Sequence, residues 1–338
     1  MQCVRGWRQC RRREFLGVVG GAAASWPLLS RAQPVERMRR VGALIGGAES
    51  DPEFQARVAA FRQSLEKLGW SEGKNIQIDY RFTAANRERT ESFAKELVAL
   101  QPEVLFASST LPAAALHRES RTIPIVFGIV LDPIGLGFVV SLSRPGGNMT
   151  GFMTSETSIS GKWLGMLKEV APHVSRAAFI ANPVTSSYDQ MLRAAQIVAP
   201  SLGIELVPIR VLTAADIERE VQAFARGPNS GLVVPADLTM AVHRDVIVSL
   251  AVRYRLPAVY GERAMVVAGG LLSYSTDLID LYRQSALYVD RILREAKPAE
   301  LPVQEPTKYT TVLNLKTAKS LGLTVPPDLL VAADEVIE

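Results

Sequence analysis

The residues that could do chemistry in this 338-residue chain are few and scattered. Three histidines, His117, His173 and His243, lie 56 and 70 residues apart, so none stands in an H-E-x-x-H or H-x-H arrangement that would set two imidazoles on one metal ion. Only a zinc site assembled from distant residues stays open. The two cysteines, Cys3 and Cys10, both fall in the first ten residues. No G-x-S-x-G elbow presents a nucleophilic serine. The triplet Ser160-Gly161-Lys162 resembles the end of a phosphate loop, but Glu156 occupies the position of its leading glycine. These absences predict a protein that binds without catalysing and needs no cofactor or metal. An enzyme would need a concentrated acid-base or nucleophile set, which the pattern lacks.

What remains is a series of polar residues at the ends of predicted strands, where ligands bind in open α/β sheets. In the first half these are Gly46 and Gly47, the run Ser108, Ser109 and Thr110 directly before a helix, and Asp132 before Pro133. Hydroxyls and free N–H groups at a helix start suit a carboxylate; they also suit a plain N-cap, and Asp132 fits either a turn cap or a ligand contact. In the second half the corresponding residues are Asn182, Asp237 and Tyr260, with Tyr188 offering an aromatic wall near a helix start. An Asp237 carboxylate across a cleft from Ser109 and Thr110 would complement a zwitterion. Phe127, Phe152 and Phe179 read as core.

The elements that must position these residues follow from the hydrophobic pattern. Short β-branched runs at 41–45, 76–82, 104–107 and 125–129 alternate with helical stretches at 52–68, 87–100 and 112–119, the pattern of a parallel sheet covered on both faces. The first helix carries Phe54, Val58, Phe61, Leu65 and Leu68 at spacings of three or four. The segment 142–152, with SRPGGNMTGF, reads as a turn. The alternation then restarts, with strands at 177–181, 204–208, 231–234 and 258–260 and helices at 160–170, 188–199, 214–224 and 241–254. A strand at 271–274, a long helix at 278–295, a proline-punctuated stretch and a strand at 311–315 close the chain. One sheet holding all these strands would be unusually wide, so the pattern predicts two α/β lobes with the chain crossing between them more than once.

Charge is unevenly placed. The whole chain carries +4, but residues 1–32 hold six arginines against Glu14, which leaves 32 basic and 33 acidic side chains beyond Ala32. That near-neutral remainder lacks the cationic footprint of a nucleic-acid binder. The first 32 residues have a basic start, an uncharged stretch from 15 to 30 and small residues at Ser30 and Ala32, the parts of a secretory signal cleaved near Ala32. The alternative is an uncleaved anchor. Arg12-Arg13-x-Phe15-Leu16 resembles a twin-arginine export signal. Cleavage would leave no cysteine and hence no disulfide.

Several stretches together are similar to one known family. RRVGALIGGAESDPEFQARVAAFRQSLEKLGWSEGKNIQIDYRF, ASSTLPAAALHRESRTIPIVF, DPIGLGFVVSLSRPGGNMTGF, GKWLGMLKEVAP and the ending KSLGLTVPPDLLVAADEVIE resemble the ABC transporter substrate-binding family related to tryptophan and tyrosine transport-system binding proteins. The resemblance runs from Arg39 to Glu338. It implies a type 1 periplasmic-binding fold, each lobe a mainly parallel sheet flanked by helices, joined by a three-stranded hinge and closing over a small molecule. The expected first lobe is 33–152 plus about 276–305, and the second 153–275 plus about 306–338. The implied function is uptake of a small polar solute, an amino acid being one candidate, by a periplasmic, soluble, monomeric receptor. Its implied partners are an ABC permease and its ATPase. The alternative within the same fold is a sensory receptor docking to a signalling protein. The implied binding residues are Gly46, Gly47, Ser108 to Thr110 and the Asp132 segment on the first lobe, with Asn182, Asp237 and Tyr260 on the second. Binding proteins of similar fold that take amino acids support Ser109 and Thr110 for the carboxylate and Asp237 for the ammonium.

Overall fold

Along the first strand Val41, Ala43 and Ile45 enter one hydrophobic cluster and Leu44 another, so the period of two divides the strand between two buried faces. That division holds across the lobe. The computed structural model describes residues 37–154, 156, 158–184 and 188–338; the expected leader, with its arginine pair and expected cleavage site, lies outside them. The first elements are β1 (Arg39–Ile45), α1 (Pro52–Lys67), β2 (Ile76–Phe82), α2 (Arg87–Ala99), β3 (Val104–Ala107), α3 (Thr110–Glu119), β4 (Ile125–Val130) and β5 (Met149–Met153). Their strands form a five-stranded sheet in the order β2-β1-β3-β4-β5, every pair parallel.

The second set comprises α4 (Ile159–Val170), β6 (Arg176–Ala181), α5 (Tyr188–Val198), β7 (Glu205–Arg210), α6 (Ala214–Phe224), β8 (Ser230–Val234), α7 (Leu238–Val242), α8 (Arg244–Arg253), β9 (Ala258–Tyr260), α9 (Arg263–Val267) and β10 (Leu272–Thr276). After α10 (Leu278–Leu293) come β11 (Tyr309–Asn314), α11 (Leu315–Leu321), α12 (Pro327–Ala332) and β12 (Glu335–Ile337). The second sheet runs β12-β11-β10-β9-β8-β6-β7, parallel except for the antiparallel β10–β11 pair. Phe179 and Ala177 pack towards α4 and α5, Ala178 and Ile180 towards α6 and α8. The result is a two-lobed α/β fold.

The long helix α10 follows a strand of the second sheet yet packs on the first. Its Tyr282 meets Phe106 edge-on at 5.3 Å, and Phe106 in turn stacks on Phe61 of α1 at 4.6 Å. The chain therefore passes between the sheets after β5, after β10 and before β11. These passages are bonded side by side. Met153 donates to the Gln304 carbonyl at 2.8 Å, Gln304 to Gly151 at 2.9 Å, and the Thr276 hydroxyl to the Thr154 carbonyl. Tyr274 stacks on Tyr309 at 5.2 Å beside them.

One expectation fails here. The segment read as a turn ends in a true strand, β5, at the edge of the first sheet. The turn reading rested on Pro145, Gly146 and Gly147, which do lie in a loop before β5; Gly151 inside the strand is the residue its place requires, since it has φ +154 and a side chain there would meet the Phe127 carbonyl oxygen at 2.0 Å. The helix predicted at 241–254 is also divided, α7 starting at Leu238 and α8 at Arg244.

Candidate functional site

Among the described residues, four contacts that join the lobes stand out beyond the carboxyl ends of their strands. At the first, Asp51 caps α1 by accepting from the Glu53 N–H at 3.0 Å and also takes Arg244, at the start of α8, through two guanidinium nitrogens at 2.6 and 3.1 Å. At the second, Arg57 of α1 meets Glu262, the residue before α9, through one contact of 3.0 Å. The third is Gln190 of α5 donating to Asp132 at 2.7 Å. The fourth is apolar: Leu238 lies so close to Gly46 that a methyl group there would come within 2.8 Å of it.

The two ion pairs differ in burial. The Asp51 and Arg244 side chains keep 12% and 17% of their exposure, whereas Arg57 and Glu262 keep 6% and 8%. Burial opposes the Asp51 charge, but the Arg244 guanidinium and the Glu53 N–H outweigh it and hold the carboxyl below its usual value. Burial wins at Glu262, which is pushed up in spite of Arg57, with the Asp237 charge adding to the effect. Burial also works against the Arg57 charge, yet Glu262 holds that guanidinium above its ordinary value. Its guanidinium carbon lies over the Phe54 ring at 4.8 Å.

Two buried hydroxyls stand on the first lobe at this end of its sheet. The Ser109 Oγ stands at the N-cap position of α3 but caps nothing. The buried Tyr282 hydroxyl lies within hydrogen-bonding reach of Ser108, beside Arg57 and Glu262, and burial raises its pKa despite Arg57 and Ser108. A cavity of about 330 Å³ flanks the ion pair, lined by Arg57, Glu262, Glu53, Thr276, Asp277 and Thr310 among others. A larger open depression of about 510 Å³ lies wholly on the first lobe, around Glu49, Phe82 and Arg89, and touches none of the cross-lobe residues.

The residues singled out in the sequence divide into three groups. Asp132 and Gly46 face the opposite lobe and Ser109 stands beside Gly46, Asp132 accepting from the Gly135 N–H at 2.8 Å as well as from Gln190. Thr110 opens α3, half-buried, and Asp237 caps α7 by accepting from the Thr239 N–H at 2.8 Å while its charge bears on Glu262. A second group braces the loops. Ser108 accepts from the Gly46 N–H at 2.7 Å, Gly47 lets the Phe54 ring pack against it, and Asn182 donates to Thr239 at 2.9 Å. The third group is core: Tyr188 packs on Phe179 at 6.1 Å, and Tyr260 sits among Met265, Ile247 and Val312, its ring closing on Gly270. Both rings turn inward, Tyr188 from the first turn of α5 and Tyr260 from the end of β9, and are buried in the second lobe.

Arg57, Glu262, Tyr282, Asp51 and Arg244 were not found in the sequence. One signal existed for Arg57. It stands three residues after Phe54 and four before Phe61, which places an arginine on the buried stripe of α1. Glu262 stands in the polar strand end Tyr260-Gly261-Glu262, of which Tyr260 alone was chosen, and nothing local marks Tyr282.

Among the described residues no group of three or more His, Cys, Asp or Glu could hold a metal ion, and no helix is long and apolar enough to cross a membrane. Residues 48–337 match the sequence pattern of a family described as ABC transporter substrate binding protein. A tyrosine-binding protein of Clostridioides difficile (strain R20291) is 26% identical over 275 residues, 80% of this chain and 78% of that protein. Among solved structures, a conserved domain protein from Vibrio cholerae is 28% identical with a TM-score of 0.83, over 89% of this chain and 100% of that one. An ABC domain from Streptococcus pneumoniae in complex with L-Trp gives the same TM-score, 0.83, and the same coverage at 24% identity.

Proposed function

The chain belongs to the ABC transporter substrate-binding protein family, and from that premise we propose that its own ligand is a small zwitterion, an amino acid, enclosed between the lobes. The family binds substrate and performs no chemistry on it. The observation that carries the ligand class is the polarity of the facing walls. The first lobe offers donors, the unpartnered Ser109 hydroxyl and the α3 start with Thr110; the second offers acids, Asp237 beside Glu262. A carboxylate is favoured at a helix start and an ammonium beside carboxylates. The tyrosine-binding relative and the L-Trp complex support an amino acid, and an aromatic one first.

Closure on the ligand would shift an open–closed population. The closed surface would then be read by a membrane permease and its ATPase. The receptor would work in the periplasm after cleavage of the leader at Ala32, which N-terminal sequencing of the exported protein tests. The ligand is tested by denaturing freshly purified protein and identifying the released small molecules by mass spectrometry, with a refolded sample as blank. A stoichiometric amino acid is the expected result; a stoichiometric compound without an amine overturns the ligand class and leaves the family untouched.

A further inference from the structure

Of the contacts between the lobes, the Arg57–Glu262 pair is the one that packing and hydrogen bonding explain least. Two charges are withdrawn from water and meet through a single 3.0 Å contact. Desolvation of such a pair commonly exceeds its Coulombic gain, so it is a poor device for merely holding lobes together. The Asp51–Arg244 pair, bidentate and less buried, already joins the same helix to the same lobe.

We propose that Arg57 and Glu262 are the residues that recognise the ligand's two charges, Arg57 taking the carboxylate and Glu262 the ammonium, so that binding replaces one buried ion pair with two. This rests on the amino-acid reading above and moves the recognition of its charges from the α3 start and Asp237 to the buried pair. The surroundings have the right polarity on each side. On the first-lobe side the buried Tyr282 hydroxyl, beside Arg57 and Ser108, can donate to a carboxylate oxygen. On the second-lobe side the Asp237 charge bears on Glu262, which adds negative potential where an ammonium would sit. Each charged group is also held by its own lobe. Arg57 lies over the Phe54 ring in a helix locked by Phe61 and Leu65, and Glu262 is fixed between β9 and α9. The adjoining cavity of about 330 Å³ gives the remainder of a small ligand somewhere to go, at the lower end of the range for small-molecule sites.

The test is calorimetric titration of the protein with L-tyrosine and L-tryptophan, with their deaminated acids, 3-(4-hydroxyphenyl)propionate and indole-3-propionate, and with their amines, tyramine and tryptamine. The remaining proteinogenic amino acids are screened beside them by thermal shift, and any that binds is titrated with its own two analogues. The wild type should bind an amino acid at least about 30-fold more tightly than either single-charge analogue. Glu262→Gln should lower amino-acid affinity by a similar factor and leave the deaminated acid within about threefold of wild type, so that discrimination for the ammonium collapses. Arg57→Gln should do the mirror image with the amine. A pair serving only as a latch would weaken all probes by one common factor, and that result overturns the proposal while the amino-acid reading stands. If the wild type binds none of the amino acids, the reading and the proposal fall together. Circular dichroism checks both variants, and the isosteric Glu262→Gln decides the question alone should Arg57→Gln fail to fold.

Discussion

Asp51 and Arg57 both stand in the opening turns of α1 and both reach the second lobe, but water treats the two contacts differently. Asp51 meets Arg244 through two bonds at the rim, with its carboxyl held ionised by that partner and by a backbone N–H. Arg57 meets Glu262 through one bond in a site where burial pushes the carboxyl up. A partly solvated pair with doubled hydrogen bonds gives a modest gain at small cost, whereas a fully desolvated pair gains little over its separate ions unless more partners arrive. The first has the properties of a fastening between lobes, the second those of a receptor for charge.

The comparison is most severely tested by breaking the buried pair on one side. Arg57→Ala should lower the unfolding free energy by about 3–5 kcal/mol, because Glu262 loses its partner in a dry site, as measured by urea denaturation. Replacing both together, Arg57→Met with Glu262→Leu, should be neutral or stabilising by about 1–4 kcal/mol in the same assay and still abolish ligand binding; retained binding would remove the pair from the site. Gly46→Ala sharpens the contrast from the apolar side. Its methyl would press on Ser109 and Leu238 at 2.7–2.8 Å, so closure should cost about 1–3 kcal/mol more, and small-angle scattering should report a larger radius of gyration at unchanged secondary structure. The smallest effect is expected from Asp51→Asn, about 1 kcal/mol, diminished by added salt because the pair is partly solvated.

The pH responses of the two carboxyls should run in opposite directions. Asp51 has a depressed folded value, so its contribution is complete above its unfolded value of about 3.9 and disappears as pH falls through the folded one. Glu262 has a raised folded value, so its buried charge costs stability above that value, and the cost fades as the group is protonated on acidification. In a series of urea melts the wild type should therefore gain on Glu262→Gln as pH is lowered towards about 4.3. Its advantage over Asp51→Asn should persist to that point and vanish only below it. Parallel trends for both variants would mean that the two pairs share one environment.

Much of the lobe architecture was legible because it rests on local periodicity. The strand faces at Val41 to Ile45 and the apolar stripe of α1 repeat every two or three to four residues, and burial on both sides of a parallel sheet demands that pattern. The strand β5 escaped because the turn signal of Pro145-Gly146-Gly147 runs directly into it and because the close approach of Phe127 requires a further glycine, Gly151, inside the strand. Ser109 and Asp132 could be found as polar residues at strand ends. Tyr188 and Tyr260 looked equivalent to them, and only the direction of each ring separates a cleft wall from a core.

By itself the sequence determined the α/β alternation, the absence of a local catalytic or metal motif and, through the combined stretches from Arg39 to Glu338, the family. Tertiary structure decided which charges meet. Arg57 and Glu262 stand 205 residues apart, and Tyr282 reaches the first lobe only because the chain crosses back after β10. No local pattern encodes such a meeting, since side chains are brought together across a cleft by the packing of whole lobes. The charge that matters is set by the water excluded once they close.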